Sequence, residues 1–222
     1  MRVNFNQPVV NTEKKTVHNL IIMDSSGSMR GGKWAAAVKF INNEIERYKT
    51  ETLVNVIHSI VIFSGGRDIK FRNWREANPI TVNSTSEFIG DMTALNDAIG
   101  NCLTKALIEN RDEQLLVKIF TDGQENASRQ YSAADARDLI KSCEDKGWTI
   151  TFGGTDVDVQ MAQRLYGIDA SNTIIHDNTP TGIDEMNYKY GGDTTAYFTN
   201  VAEGKDVTRG FFKQINKTEN EN

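Results

Sequence analysis

The 222-residue chain has little of what most specialised chemistries require: two cysteines, three histidines and three prolines. Cys102 and Cys143 alone cannot build a disulfide framework or a zinc site, and His18, His58 and His176 are too scattered to give metal-ligand spacing. Two buried thiols in a reducing compartment are the simplest expectation. No stretch approaches the apolar length that spans a bilayer, and the opening MRVNFNQPVVNTEKK lacks the apolar core of a secretory signal, so cytoplasmic residence is expected. Positive charge is not in excess either: 25 basic residues face 30 acidic ones, a net of −5. Such a balance gives no field for phosphate backbones or anionic lipid, so neither nucleic acid nor membrane is an expected partner.

What is there is an ordinary globular mixture, 38% hydrophobic and 25% charged, enough for one large domain or two small ones. Residues 17–23 form an apolar run closed by Asp24 and a Ser/Gly cluster, the mark of a strand ending in a tight turn. From Gly32 the period changes, with Trp34, Val38, Ile41, Ile45 and Tyr48 at helical spacing. Residues 53–63 read as a strand, and residues 67–74 as a returning hairpin arm at the sheet edge. A helical apolar face follows from Ala94 to Leu107, then a strand at 115–120, a helix at 133–143, a strand at 148–152, a helix near 157–166 and a short strand at 173–176. Strands alternating with helices predict a doubly wound, Rossmann-like α/β fold: a mostly parallel sheet with one antiparallel edge strand and helices on both faces. The pairs Tyr197-Phe198 and Phe211-Phe212 are expected to pack at the sheet's edge through a C-terminal helix, and residues 213–222 to form a polar tail.

In such a sheet ligands bind beyond the carboxyl ends of the strands. Polar residues fall there three times: Asp24, Ser26 and Ser28 after the first strand, Thr93 at the start of the second long helix, and Asp122 after the strand at 115–120. Two carboxylates and three hydroxyls are hard oxygen donors, suited to Mg²⁺, Mn²⁺ or Ca²⁺ rather than zinc or copper. Gly27 permits the bend that turns alternate side chains of Asp24, Ser26 and Ser28 to one centre.

These residues resemble the von Willebrand factor A domain, also called the integrin I domain, whose metal-ion-dependent adhesion site combines Asp-x-Ser-x-Ser with a later threonine and a later aspartate. The segments LIIMDSSGSM, VNVIHSIVIFSGG, MTALNDAI, KIFTDGQEN and WTITFGGTDVDVQMAQRLYG occur in the family's order. The resemblance implies a domain over residues 16–212, between an N-terminal extension (1–15) and the tail. It also implies a Mg²⁺ ion contacted by Ser26, Ser28 and Thr93, with Asp24 and Asp122 acting directly or through water, and one open position for an Asp or Glu of a protein partner. The expected function is a non-enzymatic, metal-dependent binding module of the stand-alone bacterial or phage type. Where the family often has Gly-Gly before the threonine, this chain has Asp91-Met92.

Other readings stay open at this level. Ser28 and Thr93 could be helix N-caps, and Asp122-Gly123 a plain turn. The run from Gly27 to Lys33 fits G-x-x-x-x-G-K, a nucleotide-binding pattern, but Trp34 stands where that pattern needs Ser or Thr to hold Mg²⁺. An aspartyl-phosphate enzyme with Asp24 as nucleophile would need an acid at the position of Ser26. A metal-free structural subunit of the same fold is the third alternative.

Overall fold

The first strand, β1 (Thr16–Asp24), is buried along nearly its whole length, with Ile21 and Met23 packed on one face and Leu20 and Ile22 on the other. A strand apolar on both sides belongs in the interior of a parallel sheet covered twice. In the computed structural model, which describes residues 13–65, 69–83, 90–109 and 111–213, β1 is an interior strand of six. It pairs in parallel with β2 (Asn55–Phe63) and with β4 (Gln114–Phe120). β4 pairs in parallel with β5 (Thr149–Gly154), and β5 with β6 (Thr173–Ile175). The antiparallel edge is β3 (Ile69–Glu76), giving the order β3-β2-β1-β4-β5-β6. The doubly wound, mostly parallel sheet with one antiparallel edge strand is therefore the fold observed.

Helices α1 (Gly32–Tyr48) and α5 (Pro180–Ala202) cover one face. The other is covered by α2 (Leu95–Glu109), α3 (Ala133–Glu144) and α4 (Asp156–Met161), the last running on through a π-helical turn at Ala162–Tyr166. Among the described residues no helix is long and apolar enough to cross a membrane.

Two features depart from the sequence reading. The helix α5 begins at Pro180, well before Tyr197 and Phe198, and these side chains pack with α1 over a face of the sheet rather than at its edge. Phe211 joins them, its ring 5.7 Å from those of Tyr190 and Tyr197. The buried side of α5 also includes Asn187, Asp193 and Thr194, which hides the apolar stripe. These polar groups have a counterpart. The alternation of β4 turns Lys118 to the same side as Leu116 and Phe120, where its ammonium, 1% exposed, meets the Glu44 carboxylate, Tyr48 Oη at 2.7 Å and Thr194 Oγ1 at 3.0 Å. Both cysteines are buried and free, and burial pushes the Cys143 thiol up to about 12. The expected extension over residues 1–15 and the tail over 213–222 fall almost wholly outside the described residues.

Candidate metal centre

Asp24 ends β1 fully buried, and its two oxygens are already oriented. Oδ1 accepts the backbone N–H of Ser26 at 2.6 Å, an Asx turn that folds the chain back, and Oδ2 accepts the Thr121 hydroxyl at 2.6 Å. The turn continues as a short 3₁₀ segment, Gly27–Met29, for which Ser26 is the N-cap without a side-chain capping bond. Ser26 Oγ instead lies 2.9 Å from Ser28 Oγ, and Ser28 donates to Asp122 Oδ1 at 2.5 Å. Capping does not account for Ser28 either, because the N-cap of α1 is Gly31, at φ +76°, a conformation that favours glycine.

Thr93 reaches the same place from a different direction. Its backbone N–H donates to Asn126 Oδ1 at 2.9 Å, and its carbonyl accepts from the N–H of Asn126 at 2.9 Å, so one asparagine holds the threonine from both sides. The next residue, Ala94, donates its N–H to Ser64 O at 2.7 Å, beyond the end of β2. Glu125 and Asp97 stiffen this arrangement: Glu125 accepts the N–H groups of Asn96, Ala127 and Ser128, and Asp97 those of Arg129, Gln130 and Tyr131. The loop after β4 and the entry to α2 are thus one hydrogen-bonded unit.

The point of convergence is marked by Gly123. A β-carbon placed on it would lie 2.9 Å from Thr93 Oγ1 and 3.4 Å from both Asp24 Oδ2 and Ser26 Oγ. Three oxygens, two from the turn after β1 and one from the approach to α2, therefore surround the space that the missing side chain of Gly123 leaves open. Ser28 and Asp122 join this group through their bonds to Ser26 and to each other, so all five predicted donors form one connected cluster. Asp91 does not take part. It is largely exposed and bonded to Arg30 Nη2 at 2.6 Å.

Burial raises the Asp24 carboxyl to about 7, with the charge of Asp122 adding to the rise and the Thr121 and Ser26 bonds opposing it. A nearby cation is the electrostatic partner that such a carboxylate lacks. The donor set, two carboxylates with neutral hydroxyls, has the hard-oxygen chemistry of Mg²⁺, Mn²⁺ or Ca²⁺. Among the described residues no group of three or more His, Cys, Asp and Glu is placed to bind a metal, so a site here depends on the hydroxyls. Lys33 lies at the margin, donating to Asp122 Oδ2 and to Asn178 Oδ1 at 2.8 Å, while Trp34 is buried in the α1 interface.

Thr121, Gly123 and Asn126 escaped the sequence reading as site residues. Thr121 and Gly123 flank Asp122, and that adjacency was their available signal. Nothing in the sequence marks the reach of Asn126 to Thr93.

A second constellation lies toward the opposite end of β1. His18 Nε2 is 2.7 Å from Ser59 Oγ, and His18 Nδ1 is 3.4 Å from Glu113 Oε1, an order reminiscent of hydrolytic triads. Ser59 is fully buried, however, and its Oγ accepts the N–H of Arg75, whose guanidinium also pairs with Glu113. The cluster serves as a polar clamp between β1, β2, β3 and the start of β4.

The sequence has no match among curated proteins. Solved structures are similar in fold. The pilus adhesin SpaC from Lactobacillus rhamnosus GG superposes with a TM-score of 0.61 at 12% identity, over 86% of this chain and 30% of that one. Proximal thread matrix protein 1 from the mussel byssus gives 0.58 at 13% identity, over 79% and 44%. BatB from Bacteroides thetaiotaomicron gives 0.53 at 15% identity, over 81% and 98%. This chain thus spans less than half the length of the first two. The profile of the von Willebrand factor type A domain matches residues 20–189, 170 of the 222 positions, and with the sheet order and the segment order in agreement, the chain belongs to the von Willebrand factor type A domain family.

Proposed function

We propose that this protein is a non-enzymatic binding module that holds a divalent cation, Mg²⁺ by preference, with Asp24, Ser26, Ser28, Thr93 and Asp122, and uses it to bind an acidic side chain of a protein partner. The observation that carries this reading is the convergence of Thr93, Asp24 and Ser26 oxygens on the space beside Gly123. When bound, the ion supplies a positive centre with a coordination position open to a carboxylate. The chain's own residues do the rest. Thr121 and the Ser26 amide fix the Asp24 carboxylate, Ser28 joins the first turn to Asp122, and Asn126 holds Thr93 against the loop after β4.

Three of the five donors are neutral hydroxyls, so the two carboxylates would be the only anionic groups on the ion, and with the Lys33 ammonium on Asp122 an Asp or Glu from outside would gain correspondingly. Partner choice would fall to the surrounding loops. They offer exposed Met92 beside Thr93, and a cleft of about 830 Å³ that begins at Gln124 and Glu125 and continues along Val157, Met161, Arg164 and Leu165. The resemblance to a pilus adhesin is consistent with a binding role.

Calorimetric titration of Mg²⁺ and Mn²⁺ into the wild type and Asp24→Ala tests the reading. Binding by the wild type that falls more than about tenfold in the folded variant is expected. Equal binding by the two proteins, or none by the wild type, would overturn it.

A further inference from the structure

Lys33 belongs to the glycine-rich turn but not to the ring of oxygens. Its ammonium donates to Asp122 Oδ2 and, at 2.8 Å, to Asn178 Oδ1, and its side chain is 17% exposed while that of Asp122 is fully buried. The other oxygen of Asp122 is already taken by Ser28 at 2.5 Å. A lysine gives up much rotamer freedom and hydration to be held in this way, and a buried carboxylate is the return. Its backbone neighbour is fixed too: a β-carbon on Gly32 would lie 2.9 Å from Pro180 Cγ, so the start of α1 is pressed against the start of α5 and the ammonium has few other places to go.

Charge accounting gives this contact a consequence. Ionised, Asp24 and Asp122 contribute two negative charges and Lys33 one positive, leaving the resting centre one negative charge. A divalent cation turns that into one surplus positive charge, whereas the same centre without the lysine would be neutral. Lys33 therefore opposes entry of the cation and, once the cation is in place, leaves an excess that an anion relieves.

We propose, resting on the reading of a divalent centre, that Lys33 is a tethered counter-ion that makes cation binding and acidic-ligand binding depend on each other. Alone, the centre holds its cation weakly. With a carboxylate ligand present, it holds both. By linkage the reverse is equally true, since each ligand must change the other's affinity by the same factor. The near match to a nucleotide-binding lysine motif thereby acquires a role that involves no nucleotide.

The test is titration of Mn²⁺ into the 222-residue wild type, Lys33→Met and Lys33→Arg, each with and without acetate as the probe carboxylate. The proposal expects Lys33→Met to bind Mn²⁺ about tenfold tighter than the wild type, with Lys33→Arg close to the wild type. It also expects acetate to tighten Mn²⁺ binding in the wild type and to do so less in Lys33→Met. A gain in affinity cannot come from misfolding. Unchanged or weaker Mn²⁺ binding by Lys33→Met, alongside measurable binding by the wild type, overturns the proposal and leaves the divalent centre standing. Absence of binding in all three proteins overturns both. Should Lys33→Met fail to fold, wild-type protein labelled with ¹⁵N-lysine decides the matter: Mg²⁺ must shift the Lys33 ammonium resonance, and an unmoved resonance at saturating cation overturns the proposal.

Discussion

The Thr121 hydroxyl donates to Asp24 Oδ2 at 2.6 Å, joining the ends of two neighbouring parallel strands across 97 residues of sequence. The bond satisfies a carboxylate oxygen that has no exposed surface. Thr121→Val keeps the shape and removes the donor, so it leaves a buried acceptor unsatisfied. A loss of about 1–3 kcal/mol in urea denaturation is expected, together with weaker Mg²⁺ binding, and Thr121→Ser should recover most of both. Wild-type stability in the valine variant would mean that the bond carries nothing.

Gly123→Ala addresses the open space itself. The added methyl group would sit 2.9 Å from Thr93 Oγ1, closer than ordinary contact, and the backbone there needs no glycine-specific conformation. The fold should therefore survive while the centre closes. Circular dichroism close to that of the wild type, with a loss of Mn²⁺ affinity of about tenfold or more, is the expected pair of results. Retained affinity would place any cation elsewhere.

A third prediction concerns the helix interface. Burial raises the Asp193 carboxyl to about 6 from an ordinary 3.8, with Lys118 and Lys189 opposing the rise, and its Oδ1 is buried with no hydrogen-bond partner among the described residues. The folded chain binds this proton more tightly than the unfolded one, so the stability it contributes is complete below about pH 4 and is lost as the pH rises through 6. Asp193→Asn imitates the protonated form. It should exceed the wild type by about 2 kcal/mol at pH 8 and match it near pH 4. Urea midpoints across that range provide the check, and the same difference at both ends would rule out the proton as its source.

The alternating elements were legible because β1, β2 and β4 are apolar on both faces while the helices between them keep a 3.6-residue period. The clustering of Asp24, Ser26, Ser28, Thr93 and Asp122 was legible because each falls at a strand end or helix start, where the order of the fold brings them together. The start of α5 was not. Its buried side includes Asn187, Asp193 and Thr194, so it reads as polar until Lys118 and Glu44 are seen beneath it. A lysine in the middle of an otherwise apolar strand and a glutamate inside the stripe of α1 were the signals available. Gly191 is equally opaque in sequence. A β-carbon there would collide with the Arg47 guanidinium, so the glycine keeps room for that group against α5. Supporting residues such as Asn126 act through backbone atoms of distant segments, and local patterns contain no record of such reach.

The sheet order has a mechanical corollary. The two aspartates of the centre terminate or follow β1 and β4, interior neighbours with a paired strand on each side, while the margins are β3 and the three-residue β6. A partner pulling on the centre along the strand direction would load β1 and β4 lengthwise, straining many interstrand bonds at once instead of parting them one after another. If the centre holds a partner as proposed, such a seat would resist traction without disulfide reinforcement, and fraying at the edges would leave it in place.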